Sequence, residues 1–248
     1  MKILFLGRRE CRIFRYLEQK NEVKQTEEVV STEEISEFDP ELVVSFGYRH
    51  IIKKPIIEQF RGKIINLHIS YLPWNRGASP NLWSIVDKTP KGVTIHLIDE
   101  GVDTGDIIFQ KIVPMNEELT LRESYDLLQS EIQDLFIEKW DEIKCLDFSS
   151  KSQNPDEGTF HTIVETEDYM RKIGLEGWDI KIGDLIMRSD EEIINEIQEI
   201  REKNNTHWMD IVKLAFEVSP VKSREIFKKI KDCDEKVNEL LKELAEND

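Results

Sequence analysis

The amino-acid sequence predicts an α/β protein: an open, mostly parallel sheet covered by helices on both faces, then a small mixed region and a C-terminal helical extension. Three observations lead there. Short continuous apolar runs occur at residues 2–7, 42–46 and 63–68, the pattern of strands buried on both faces. Stretches with apolar residues at three- and four-residue steps lie between them, as connections between parallel strands require. Beyond residue 188 the periodicity is helical.

Taken in order, the run at 2–7 is the first strand, and residues 11–19 follow with Ile13, Phe14 and Leu17 at helical spacing. Residues 18–36 read only as a short acidic segment. Asp39-Pro40 precedes the strand at 42–46, and Ile51, Ile52, Ile56, Ile57 and Phe60 mark a helical link to the strand at 63–68. Residues 93–98 and 107–113 are two more strands, and their short connection predicts antiparallel pairing. From 119 to 143 a long amphipathic helix is expected, with Thr120 as N-cap and Glu123 completing a capping box. The polar, turn-rich segment 149–155 marks a boundary. The chain therefore divides into 1–148, a catalytic core; 149–188, a small mixed α/β region with a strand at 158–164 and a tight connection at 174–177; and 189–248, the helical extension.

In that extension a charged helical stretch opens at Ser189, and helices are expected near 208–218 and 222–244. Ile193, Ile194, Ile197 and Ile200 mark one apolar face, and Ile226, Ile230, Val237, Leu240, Leu241 and Leu244 another. A helical bundle or a dimer-forming arm is the expectation. Asn204 and Asn205 are placed to cap the helix that follows them or, alternatively, to bind a partner or another ligand.

Composition limits the function. Among 248 residues, 34 are Lys or Arg and 50 are Asp or Glu, a formal net charge of −16. Polyanions are bound by clustered Lys and Arg, so nucleic acid is not the expected partner. No run of about 18 apolar residues exists for a membrane-spanning helix, and the apolar start is shorter than a secretory core of about 7–15 residues. Three widely spaced cysteines, Cys11, Cys145 and Cys233, fit neither a disulfide framework nor a zinc site, and a reducing cytoplasm is the expected location.

Two clusters carry chemistry. Asn66 and His68 lie two residues apart at the carboxyl end of a strand, so they share a face where open α/β sheets place their ligand crevice. An amide beside an imidazole can hold a carbonyl oxygen and stabilise charge developing on it. The second cluster, Asp99-Glu100-Gly101-Val102-Asp103-Thr104-Gly105-Asp106, is either a solvated turn or a loop that sends one carboxylate to His68. Its spacing departs from that of a calcium loop, and no metal site is expected. His161 reads as a structural histidine, His96 as facing a packed or polar layer, and His207 as exposed.

The strings NLHISYLPWNRGASPNLWSI and KGVTIHLIDEGVDTGDIIFQ together resemble the family of 10-formyltetrahydrofolate-dependent formyltransferases. The shared elements are an Asn-x-His strand end, a Leu-Pro-x-x-Arg-Gly loop and an Asp-x-Gly-x-Asp-x-Gly loop, and the resemblance covers residues 1–140. It implies a Rossmann-like core, 10-formyltetrahydrofolate as co-substrate, and a catalytic triad of Asn66, His68 and Asp103. Asn66 would orient the formyl carbonyl and His68 would stabilise the oxyanion. Asp103 would hold His68 and help remove the amine proton through water. The resemblance also places the pterin against 48–52 and 98–103, with His50, Ile52, Ile98, Asp99 and Asp103 as its contacts.

Three branches of the family differ in acceptor. Those acting on glycinamide ribonucleotide carry a glycine- and serine-containing phosphate loop, where this chain has Gly7-Arg8-Arg9-Glu10-Cys11. Those acting on methionyl-tRNA carry a basic insertion and a C-terminal barrel, where this chain has the acidic segment 18–36 and helices. The third branch, the sugar N-formyltransferases, is the best match and implies a small-molecule nucleotide-linked amino sugar destined for surface glycans. Arg8, Arg9 and Arg76 would meet its diphosphate and Trp74 its base or sugar. A methionyl-tRNA enzyme, a non-catalytic folate- or partner-binding relative, and an acceptor that is a nonulosonic acid precursor or amino-acid derivative remain as alternatives. A homodimer through the region after Asn154 is the expected assembly.

Overall fold

A computed structural model describes residues 1–172, 177–186 and 190–246, apart from the side chains of 187–197, 203–206 and 243–248. The chain forms two compact units, Met1–Met187 and Arg188–Asp248.

The first unit runs β1 (Lys2–Gly7), α1 (Arg12–Glu18), β2 (Glu22–Thr26), α2 (Thr32–Phe38), β3 (Leu42–Phe46), α3 (Lys54–Gln59), β4 (Ile64–His68), β5 (Arg76–Gly77), α4 (Pro80–Val86), β6 (Gly92–Leu97), β7 (Ile107–Ile112), α5 (Leu121–Glu138), α6 (Trp140–Lys144), β8 (Phe160–His161), α7 (Ile163–Lys172) and α8 (Ile182–Leu185). Six strands form one sheet in the order β2-β1-β3-β4-β6-β7, and β5 pairs with β8 in a separate two-stranded ribbon. The first four strands are parallel, while β6 is antiparallel to both β4 and β7, as the short 93–113 connection predicts.

The apolar runs follow from burial on both faces. In β1, Ile3 and Phe5 pack with Ile13, Phe14 and Leu17 of α1 and with Leu128, Ile132 and Phe136 of α5. The alternate residues Leu4 and Leu6 pack with Ile35 of α2 and Ile56 and Ile57 of α3. Each fully buried side chain of this kind stabilises the fold by about 1.5–3 kcal/mol relative to exposure. A third cluster joins Leu82 and Ile85 of α4 to Leu121 of α5 and to Ile182 and Leu185 of α8. The segment after residue 149 therefore packs back against the sheet domain.

Several elements differ from expectation. The acidic segment 18–36 contains β2 and α2. β2 is an edge strand with no fully buried residue, and α2 buries only Ile35 on the strength of a Ser31–Glu34 capping box, so neither shows an apolar pattern. α4 is hidden by its buried polar residues Asn81 and Ser84. The expected 119–143 helix is two helices, broken at Lys139 where ψ is 4°. The Thr120–Glu123 capping box is present as expected. The strand expected at 158–164 is only Phe160–His161, because Thr162 and Glu165 cap α7 directly after it.

The second unit consists of α9 (Asp190–Val218) and α10 (Pro220–Glu246). The charged stretch and the helix expected near 208–218 are thus one helix. Ser189, the connection at 174–177 up to residue 176, and the side chains of Ile193, Ile194, Ile197, Asn204, Asn205 and Leu244 lie outside the described residues. Among the described residues no helix is long and apolar enough to cross a membrane.

Candidate active site

β4 ends in Asn66 and His68, and antiparallel β6 sets His96 directly opposite Asn66 and Thr94 opposite His68. Opposed residues in adjacent strands share a face, so four polar side chains are gathered on one face of β4 and β6. The β6–β7 register shifts between Ile95 and His96, a bulge of the kind that re-aims side chains beside functional sites.

Asp103 reaches this cluster from the loop between β6 and β7. Its Oδ1 accepts from Asn66 Nδ2 at 3.2 Å and lies 3.5 Å from His96 Nε2. Its Oδ2 accepts from the Gly77 backbone N–H at 2.9 Å and lies 3.6 Å from His68 Nδ1. Asp103 adopts a left-handed φ of 55°, unusual outside glycine. The Gln153 amide holds that backbone by donating to the carbonyls of Asp103 and Gly105, each at 2.8 Å.

Burial pushes the Asp103 carboxyl up, but the positive field of His68, the hydrogen bond and charge of His96 and the Gly77 N–H together outweigh it and hold the group well below the usual carboxylate range. Asp103 is a fixed negative charge here.

The ring of His68 is held from its far side. Nε2 donates to the Asn75 carbonyl at 3.0 Å, an acceptor-only group, which leaves Nδ1 toward Asp103. Asn75 is fully buried in the left-handed region with φ 58°. Its side chain receives the Thr89 hydroxyl at 2.6 Å and donates to Thr159 Oγ1 at 3.3 Å and Asp87 Oδ2 at 3.5 Å. The same Asp87 oxygen lies 2.8 Å from Nε2 of His161, whose ring stacks on Trp83 at 3.9 Å and 3°. A polar network thus runs from His68 through Asn75 and Asp87 to His161. Gly77 is required at its place: φ is 86° and a Cβ would lie 2.3 Å from the His161 carbonyl.

Asn66, His68 and Asp103 are therefore brought together, and His96 joins them. The reading of His96 as facing a polar layer understated it: Nδ1 bonds the Leu97 carbonyl at 2.8 Å and Nε2 lies 3.2 Å from Asn66 Nδ2. The usable signal was strand alternation, which sets Thr94 and His96 on one face of β6.

The other expected contacts are more dispersed. Ile52 is buried and Ile98 half-buried in one apolar cluster with Tyr48, while His50 is exposed and meets Tyr48 edge to face. Asp99 closes its own turn by accepting from Gly101 N and Thr104 Oγ1, so its carboxylate serves the loop. Arg8 is exposed and pairs with Glu27 at 3.7 Å, and Arg9 lies over the Phe14 ring. Arg76 donates to Gln153 Oε1 and to the Glu157 carbonyl. Trp74 is half-buried, and Trp83 is core. His207 is exposed. No group of three metal-ligating side chains converges among the described residues.

A family model described as formyl transferase matches residues 11–139. The chain is 30% identical over 196 residues to the methionyl-tRNA formyltransferase of Finegoldia magna, a match over 73% of this chain and 62% of that protein. It is 35% identical over 107 residues to that of Clostridium novyi, covering 43% of this chain and 35% of that one. The chain thus spans less than two thirds of these curated relatives. Among solved structures it resembles the formyltransferase PseJ from Anoxybacillus kamchatkensis, in complex with UDP-4,6-dideoxy-4-formamido-L-AltNAc and tetrahydrofolate. That likeness has a TM-score of 0.70 and 41% identity, over 75% of this chain and 98% of that one. A 4-N formyltransferase from Francisella tularensis shares the fold at TM-score 0.58 and 23% identity, over 74% and 85% of the two chains.

Proposed function

This chain belongs to the formyl transferase family, and we propose that it transfers a formyl group from 10-formyltetrahydrofolate to the amino group of a nucleotide-linked amino sugar. The observation that carries the reading is the convergence of Asn66 and His68 of β4 with Asp103 of the β6–β7 loop on one face of the sheet. The likeness to PseJ over nearly all of that chain supports the sugar acceptor.

The co-substrate supplies an activated formyl group. Ile52, Ile98 and Tyr48 fit its flat ring system, since all three belong to one apolar cluster. His50 stands exposed beside Tyr48 as a polar contact, and the backbone from Ile98 to Asp103 offers hydrogen-bonding groups.

The chain's own groups divide the work. Asn66 donates one amide hydrogen to Asp103, and its Nδ2 lies 3.2 Å from His96 Nε2. A bound carbonyl would take the place of His96, so Asn66 gains an oxyanion partner without exposing an unpaired donor. With Nε2 donating to Asn75, His68 presents the Nδ1 lone pair as the site that receives the amine proton. Asp103 then faces the new imidazolium as its counter-charge. A carboxylate held so low is a weak base at neutral pH, which favours this holding role over direct proton removal.

For the acceptor, Arg8 and Arg9 follow β1 at the carboxyl edge and are the diphosphate ligands of this reading. Arg76 braces the loop beside Asp103 while Trp74 offers a face to base or sugar. A surface-glycan role follows from that acceptor class.

The test is turnover with a panel of UDP- and dTDP-linked amino sugars and 10-formyltetrahydrofolate, reading tetrahydrofolate release and product mass. Formylation of at least one sugar is expected. Formylation of methionyl-tRNA with none of any sugar would overturn the acceptor, and folate binding without turnover on either would overturn the catalytic reading.

A further inference from the structure

The second unit is a pair of helices that, among the described residues, pack on one another beside their turn. There the Phe216 and Phe227 rings lie 5.5 Å apart, and Ser223 Oγ donates to the Ala215 carbonyl at 2.8 Å. Among the described residues of α9 and α10, Ser223 alone is buried. Large apolar side chains stand in water along the remainder, among them Trp208 at 57% exposure and Leu240 at 61%.

Five exposed apolar residues of α10 follow a heptad, while Val221, Phe227 and Leu241 stand outside it. Ile226, Ile230, Cys233, Val237 and Leu240 recur at steps of four, three, four and three, the a/d seam of a coiled coil. All five are exposed. A seam of this period is made to meet another helix, because a two-residue-wide stripe buries fully only against a matching one.

Charge says which helix. Residues 220–231 carry five basic side chains against one carboxylate, and residues 232–246 carry six carboxylates against two lysines. α10 is thus basic in its first half and acidic in its second. The neighbouring α9 opens with five carboxylates and no basic residue at 190–199, so its sequence offers no basic half to match the acidic half of α10. A second α10 running antiparallel sets each basic half against an acidic half, whereas a parallel one sets like against like.

We infer that α10 is a self-complementary dimerisation helix, which pairs antiparallel with α10 of a second copy of this chain about a two-fold axis. One register pairs four of the five seam positions: Ile230 faces Leu240 of the second copy and Cys233 faces Val237, and symmetry repeats both contacts. The inference does not depend on the acceptor or on the catalytic assignment.

Sedimentation of the full chain through the micromolar range should show a dimer. Ile230→Asp combined with Leu240→Asp should raise the apparent dissociation constant at least ~100-fold while far-ultraviolet dichroism keeps the helical signal. For orientation, chains with Cys11→Ser and Cys145→Ser are prepared in two forms, one keeping Cys233 and one carrying Cys233→Ser with Val237→Cys. Mixed and oxidised with copper phenanthroline, they should give the mixed disulfide in excess over both self-disulfides. A monomer at all concentrations, or a dimer that survives the double aspartate variant, would overturn the inference, including where the chain instead captures a different protein. Dominant self-disulfides would overturn the antiparallel register.

Discussion

The backbone carbonyl of Asn75 accepts from Nε2 of His68 at 3.0 Å, so that Nδ1 is the nitrogen left facing Asp103 at 3.6 Å. A buried, left-handed asparagine in a loop therefore sets the tautomer of a histidine on β4. The reactive face of the imidazole is chosen by a residue that offers its main chain, not its side chain.

Replacement of the converging polar groups tests this arrangement directly. Asn66→Ala, His68→Ala and Asp103→Ala should each lower kcat by roughly 100- to 1,000-fold in the tetrahydrofolate-release assay. His96→Phe removes a partner of both Asn66 and Asp103, and a loss of about 10- to 100-fold is expected, in kcat more than in KM. Wild-type turnover in His68→Ala would remove the histidine from the mechanism.

The network behind His68 makes a separate prediction about stability. Asp87→Ala leaves His161 and the Asn75 amide short of an acceptor in a largely buried setting. A loss of about 1–3 kcal/mol is expected from urea unfolding, with Asp87→Asn closer to wild type because an acceptor oxygen is retained. Equal stability of the alanine variant and wild type would show that water satisfies both groups.

At Gly77 both the conformation and the space exclude a side chain. Gly77→Ala should shift the ribbon of β5 and β8 and withdraw the N–H that Asp103 Oδ2 accepts. Lower thermal stability and lower kcat are expected together, and loss of only one of the two would separate the ribbon from the carboxylate.

Acid sensitivity follows from the depressed Asp103 carboxyl. A carboxylate lower in the folded than in the unfolded chain, where 3.8 is ordinary, stabilises the fold fully above that value. The contribution drains away as pH falls below it, because the unfolded state then binds the proton first. Urea midpoints measured between about pH 5 and pH 2 should fall more steeply for wild type than for Asp103→Asn. Parallel slopes would mean that the surrounding histidines do not hold the charge.

Much of the first unit is legible in order along the chain. The runs at 2–7, 42–46 and 63–68 declare strands buried on both faces, and Ser31 and Glu34 show how a capping box makes a short helix from a segment whose composition looks merely acidic. The edge strand β2 escapes notice because half its surface faces water.

The sequence by itself determined that Asn66 and His68 share a face, because a strand has a two-residue period and both lie on one. It also determined that an acidic, glycine-containing loop follows β6. Only the tertiary structure decided which carboxylate meets the histidine, that His96 joins them, and that Asn75, Gly77 and Gln153 hold the set in place. These are contacts between segments brought together by strand pairing and loop packing. Their partners are chosen by the three-dimensional register of the sheet, and no local periodicity records that choice.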